Sequence, residues 1–264
     1  LLWFRKKASL KEGRKIAIGV YKRTWKIAEI YNGADNEIRT PLPSYIMEAI
    51  DRERKTYKEK ELNRITSIFK LNPQTNLYDY DGDLDNNILK KFVSEDKDGF
   101  TINFGKIIGN FDCSYFGLKS FKGAPTEVGG NFDCSWNKLT SLEGAPREVG
   151  INFNCSSNYF TSLRGAPQTV GGRFDCSFNQ LTSLEGAPTK VGGDFDCSWN
   201  KLPSLKGAPK EVGGWFDCSR SHLISLEGAP QKVGKDFNCR NNLNLHSLDG
   251  IGEVKGKILK DFYF

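Results

Sequence analysis

The chain has 264 residues, 38 Lys+Arg against 32 Asp+Glu for a net charge of +6, and seven cysteines. No run of 18 or more apolar residues occurs, so no membrane-spanning helix is expected. The cysteine count is odd, and no CxxC spacing is present, which argues against a disulfide framework and the common zinc patterns and for a reducing compartment. The charge is uneven: residues 1–70 carry 17 Lys+Arg against 9 Asp+Glu, leaving the remainder slightly acidic.

Residues 1–70 read as a basic α+β segment. The opening LLWFRKK is too short, and too basic after its apolar start, for a signal peptide. RKIAIGVYKRTWKIAEIYN (14–32) reads as two strands around Tyr21–Thr24. TPLPSYIMEAIDRERKTYKEKELNRITSIFK (40–70) reads as a helix, with Ile46, Ile50, Tyr57, Leu62, Ile65 and Phe69 at helical spacing. Its interleaved Lys and Glu suit a solvated face with i,i+4 pairs better than a basic stripe. The basic excess leaves a nucleic-acid or virion contact as the alternative role. LNPQTNLYDYDGDLDNNILKKFVSEDKDGF (71–100) then reads as a degenerate capping coil. Asp79, Asp81, Asp83 and Asp85 invite a calcium reading, but neither register of an EF-hand loop puts Gly at position six or Glu at position twelve. A solvated turn is expected there, with no metal and no cofactor.

From residue 101 to 250 one phrase returns about seven times, as in GGNFDCSWNKLTSLEGAP (129–146) and GGDFDCSWNKLPSLKGAP (193–210). The cysteines Cys113, Cys134, Cys155, Cys176, Cys197, Cys218 and Cys239 keep a step of 21 residues, as do the phenylalanines from Phe132 to Phe237. A fixed period of this length marks a solenoid, in which a coil folds only against its neighbours. Phe-x-Cys alternates as a short strand with both side chains on one face. Val, Phe, Cys and two Leu fill the interior, so the cysteines are small buried hydrophobes rather than nucleophiles or ligands. Asn137, Asn158, Asn179, Asn200 and Asn242 stand where the chain leaves the strand and can bond its backbone. Gly-Ala-Pro and Gly-Gly are expected to return the chain along an irregular, helix-poor side. The first coil has Phe116 in the Asn place and the sixth has Ser221; the last gains one residue between Cys239 and Leu248. Residues 251–264 read as a C-terminal cap strand.

The phrase resembles the short leucine-rich repeats of bacteria and bacteriophages, most closely SLxGAPxxVGGxFxCSxNxLT repeats of uncharacterised phage and prophage proteins, over about residues 100–250. The resemblance implies a leucine-rich-repeat solenoid with a parallel sheet on its concave face and a protein-binding role. A host or virion partner follows from it, with residence in the host cytoplasm or the virion. Secreted bacterial ubiquitin-ligase effectors are similar less closely; they carry a catalytic domain after their repeats, whereas this sequence ends soon after the last coil. No enzyme activity is expected.

Specificity should lie in what does not repeat. Four columns are expected to face outward on the sheet. The residue after Phe is Asp112, Asp133, Asn154, Asp175, Asp196, Asp217 and Asn238, and the residue after Cys is Ser in six coils and then Arg240. Stacked carboxylates repel, which either a cationic partner or local hydrogen bonds would relieve; both remain open at this point. Before Phe stand Asn110, Asn131, Asn152, Arg173, Asp194, Trp215 and Asp236, and two after Cys stand Tyr115, Trp136, Ser157, Phe178, Trp199, Arg220 and Asn241. Exposed aromatics and Arg are typical of interface hot spots. The candidate contact residues are therefore Tyr115, Trp136, Phe178, Trp199, Trp215, Arg173 and Arg220, with Asp175, Asp196 and Asp217. Lateral stiffening of the sheet is the plainer alternative.

Overall fold

In this computed structural model residues 68–261 are described throughout; within residues 1–67 the description covers three strands and five helical positions. The chain divides into two compact units, Leu1–Ser67 and Ile68–Phe264. In the first, β1 (Leu2–Lys6) pairs antiparallel with β2 (Ile16–Val20), which pairs antiparallel with β3 (Ile27–Tyr31). Strands β2 and β3 flank the expected turn, and β1 is an addition to the two strands read from the sequence. Glu48, Asp51, Arg52, Lys55 and Thr56 are helical, and the Thr56 hydroxyl donates to the Arg52 carbonyl at 3.0 Å. Of the apolar helix positions, Ile46, Ile50, Tyr57, Leu62 and Ile65 lie outside the described residues. Phe69 does not belong to that helix: it is buried at the base of the second unit.

The second unit is a parallel β-solenoid. Its lower end is closed by β4 (Lys70–Asn72) and β5 (Leu77–Tyr80), an antiparallel pair, and by α1 (Asn86–Leu89). Phe69 meets Tyr78, Tyr80, Phe92 and Phe104 edge-on, with centroids 5.2–6.4 Å apart. The four aspartates of this cap have separate structural duties. Asp79 accepts from the Lys106 amide at 2.7 Å and Asp83 from the Asn110 amide at 2.7 Å. Asp81 pairs with Lys70, and Asp85 caps α1 by accepting from the Asn87 and Ile88 amides at 2.9 and 3.0 Å. Among the described residues no group of three His, Cys, Asp or Glu side chains is placed to hold a metal ion.

Above the cap, β5 pairs in parallel with β6 (Phe104–Ile107), and each coil then contributes two short strands. Phe-Asp (or Phe-Asn) dipeptides from Phe111–Asp112 to Phe237–Asn238, followed by Ile258–Leu259, form an eight-stranded parallel sheet, the phenylalanine sheet. Dipeptides ending in Val, from Glu127–Val128 to Glu253–Val254, extend β4, β5 and β6 into a ten-stranded sheet, the valine sheet. The expected irregular return is thus partly wrong. Glu-Val lies extended between the Pro and Gly-Gly turns, and only the remainder of that side is irregular. Residues 253–259 supply a further rung to both sheets, with Ile258 standing over Phe237.

Phe, Cys, Val and the two Leu places, one of them held by Phe160 in the third coil, point inward and are buried from the second coil to the sixth. The phenylalanine rings form a continuous column from Phe111 to Phe237, with successive centroids 5.2–5.7 Å apart and planes within 17°. The thiols lie beside them, and Cys176 and Cys197 each donate to a carbonyl of the next coil at 3.3 Å. Burial, helped by nearby carboxylates, pushes these thiols well above their ordinary range, and Cys239 near the end is pushed up to about 11.

The corner asparagine binds two coils together. The Asn179 side-chain amide donates to the carbonyls of Cys155, Cys176 and Ser177 at 3.1–3.2 Å, and its oxygen accepts from the Phe160 amide at 3.1 Å. Ser221 performs part of this work in the sixth coil, donating to Cys197 at 3.0 Å. The extra residue of the last coil is absorbed at Leu243, which is 88% exposed, while Leu245 returns to the core. Glycine is required at two places. In the turns that follow the second Leu place (Phe121 in the first coil), the glycines from Gly123 to Gly250 have φ of 75–93°. At Gly129, Gly150, Gly171, Gly192, Gly213 and Gly234 a Cβ would lie 2.1–2.4 Å from a carbonyl oxygen of the preceding coil.

Two outcomes test this packing. Asn179→Ala should cost about 3 kcal/mol, since it leaves buried carbonyls and an amide unpaired, and Asn179→Ser should recover roughly half by imitating Ser221; urea unfolding that finds equal losses would contradict the corner assignment. A thiol reagent such as DTNB should leave Cys113, Cys134, Cys155, Cys176, Cys197 and Cys218 unmodified in the native protein and titrate all seven cysteines in denaturant.

Candidate functional site

The outward surface of the phenylalanine sheet is built from hydrogen bonds made immediately after each Phe. In most coils the next side chain, Asp or Asn, turns back on the chain two residues ahead. The Asp133 carboxylate accepts from the Ser135 amide at 2.8 Å and from its hydroxyl at 2.6 Å, and Asp175, Asp196 and Asn154 do the same. This corrects the expectation that the serine column faces outward. The chain leaves the strand directly after Cys, so the serines tuck beneath the carboxylates and are buried.

The second carboxylate oxygens are also engaged. The Asn154 amide donates to Asp133 at 3.0 Å, and that of Asn238 to Asp217 at 2.9 Å. Arg173 spans two coils, its guanidinium donating to Asp175 at 2.7 Å and to Asp196 at 2.8 Å. Local hydrogen bonds and the Arg173 ion pairs thus relieve the acidic column from within the chain. Burial and the neighbouring Asp175 push the Asp196 carboxyl up to about 6, against the Ser198 hydrogen bonds; the Arg173 guanidinium acts in the same downward sense as those bonds.

The column before Phe is mostly scaffold, contrary to its reading as a specificity column. The side-chain oxygen of each of several members accepts from the backbone amide of the next coil: Asn110 from Asn131 at 2.7 Å, Asn131 from Asn152 at 3.1 Å, Asn152 from Arg173 at 2.6 Å, and Asp194 from Trp215 at 2.9 Å. Arg173 and Trp215 are the departures, and Trp215 is 56% exposed. The restriction to Asn and Asp in the other five places was the signal available in the sequence.

The column two after Cys has a backbone conformation of its own. Tyr115, Trp136, Ser157, Phe178, Trp199, Arg220 and Asn241 all have φ between 53° and 59°. Their amides keep the ladder going, as in Phe178 to the Ser198 carbonyl at 3.1 Å. Asn is among the residue types that visit this left-handed region readily, whereas bulky side chains there are uncommon and cost on the order of 1–3 kcal/mol. Backbone preference therefore does not select the aromatics. They remain broadly exposed: Tyr115 69%, Trp136 56%, Phe178 52% and Trp199 45%. Tyr115 stacks on Trp136 with centroids 5.5 Å apart and planes 7° apart, and Phe178 on Trp199 at 5.1 Å and 16°. The Arg220 guanidinium lies 4.5 Å from the Trp199 ring centroid. The structure thus joins Phe178, Trp199 and Arg220 in one stack, Tyr115 and Trp136 in another, and Arg173 with Asp175 and Asp196. Asp217 is tied to Asn238.

No protein-family model, curated protein or solved structure matches this chain. The second unit is a helix-poor parallel β-solenoid of about seven turns with a step of about 21 residues. No helix among the described residues is long and apolar enough to cross a membrane.

The raised Asp196 carboxyl gives a pH test. A carboxyl raised in the folded state stabilises fully below its unfolded value of 3.8 and loses that contribution as pH rises through about 6. In an Arg173→Ala background, which removes the ion pair, Asp196→Asn retains the acceptor for Ser198 as Asn154 does for Ser156, and it should be stabilised relative to that background by about 1 kcal/mol at pH 7.5, with the difference vanishing near pH 4. Urea unfolding at both pH values checks this, and a pH-independent difference would contradict it.

Proposed function

We propose that the solenoid is a non-catalytic protein-recognition module whose contact surface is the aromatic and arginine stripe on the phenylalanine sheet. The observation that carries this is the set of large, solvent-exposed rings held in left-handed backbone positions that favour Asn or Gly. Trp215, alone in its column among Asn, Asp and Arg, adds apolar area on the same sheet that ring-on-ring stiffening does not use. Tyr, Trp and Arg in such an array are the residue types that dominate interface energetics. The resemblance to short leucine-rich repeats supports the same reading: there the equivalent sheet is concave and binds proteins. It also favours a host or virion protein as partner, met in the host cytoplasm or in the virion.

A second reading draws on the division into two units and the basic excess of the first. In it, residues 1–67 dock the protein to a virion or a nucleic acid, and the solenoid is displayed.

Substitution of Trp136, Phe178, Trp199 and Trp215 together by Ala should abolish capture of a specific partner from lysate of the source cells, read by mass spectrometry, while far-UV circular dichroism stays unchanged. Capture that survives all four substitutions would overturn the contact-surface proposal and favour docking through the first unit.

A further inference from the structure

The aromatic column has one empty place. Ring contacts run from Tyr115 to Trp136, stop at Ser157, and resume with Phe178, Trp199 and Arg220. Ser157 has the same backbone conformation as its neighbours, with φ 54°, so its place lies in register with theirs and lacks only the ring. Trp136 and Phe178 border it one coil away on either side, about 10 Å apart at two strand spacings. A planar group inserted midway would stack about 5 Å from each ring, a normal aromatic separation and close to the 5.1–5.5 Å kept by the filled members.

The column also shows what completes it. Above Trp199 the stack is closed by a guanidinium, that of Arg220. The charges beside the empty place point to the same chemistry. Asp175 and Asp196 on the upper coils share Arg173. Asp112 and Asp133 on the lower coils take neutral donors, Asn86 and Ser114 for the first and Ser135 and Asn154 for the second, and neither forms an ion pair among the described residues. A shallow depression of about 310 Å³ lies on the same coils, lined by Asn131, Asp133, Asn152, Asn154, Arg173 and Asp175. Its amides and carboxylates can bond an extended backbone.

We propose that the Ser157 place is a slot for an arginine side chain of a partner protein, the guanidinium sandwiched between Trp136 and Phe178 and facing the Asp133 carboxylate. The proposal rests on reading the stripe as a protein-contact surface and names the chemistry that the surface takes. A lysine ammonium lacks the planar shape. A nucleobase has it, but brings a phosphate toward Asp112 and Asp133, which repel it.

The test selects a random peptide library against the full-length protein and measures the selected peptides on three variants. Ser157→Trp fills the slot with a side chain that Trp136 and Trp199 carry in the same conformation. Asp133→Asn leaves the slot open and keeps the acceptor for Ser135, as Asn154 does for Ser156. The third is the quadruple alanine variant. Arginine-bearing peptides should be selected, and should bind about tenfold more weakly to both Ser157→Trp and Asp133→Asn, with citrulline in place of arginine equally weak. Peptides with no arginine preference that bind Ser157→Trp normally, yet lose the quadruple variant, would overturn the slot and leave the contact surface standing. Binding equal on all variants, or no selected peptide, would overturn both. Retention of oligothymidylate by the parent and its loss on Ser157→Trp would replace the arginine by a base.

Discussion

Every residue in the array stands about 4.8 Å from its own counterpart in the next coil, and that in-register stacking governs the rest. Each position must hold a side chain that tolerates its own image. Phenylalanine does so by stacking its rings. Cysteine does so because its thiol is small and reaches a carbonyl of the following coil. Asparagine at the corner bonds two coils at once, and the Asn and Asp side chains before Phe hand their acceptors to the next backbone amide. A carboxylate is the poor candidate, since its image repels it. The acidic column is accordingly broken at two places and bridged at a third. Asn154 and Asn238 interrupt the acids, and Arg173 bridges Asp175 and Asp196.

The period, the Phe-x-Cys strand, the buried thiols and the bracing asparagine were legible because each is a local pattern repeated many times. The valine strand was hidden because two residues between Pro and Gly-Gly offer no alternation to read; parallel pairing with the coils on either side makes it a strand. Serine burial was hidden for a related reason. Alternation extrapolates the strand past Cys, whereas the carboxylate two residues earlier folds over the serine and ends it. Phe69 matched a helical spacing with Ile65 and Leu62, yet burial against Phe92 and Phe104 places it in the solenoid cap.

The candidate surface was legible in composition but not in conformation. Sequence shows that Tyr115, Trp136, Phe178 and Trp199 share a column. It does not show that the column is left-handed or that its rings stack face to face across the coils. Those properties arise from the turn that the Asp and Asn side chains impose after each Cys. The scaffold thereby fixes the site: the hydrogen bonds that bury the serine also aim the next side chain at solvent.

The glycines that face a carbonyl of the preceding coil have a wider effect. At Gly129, Gly150, Gly171, Gly192, Gly213 and Gly234 backbone rests on backbone, leaving no room even for a methyl group. Along that edge the rise of the solenoid is set by the main chain and is insensitive to the side chains around it. The array can therefore change length by whole coils without altering its pitch. Any such change moves an aromatic on the outer surface by one fixed increment, which makes the stripe a ruler whose marks can be added, deleted or left blank while their spacing is conserved.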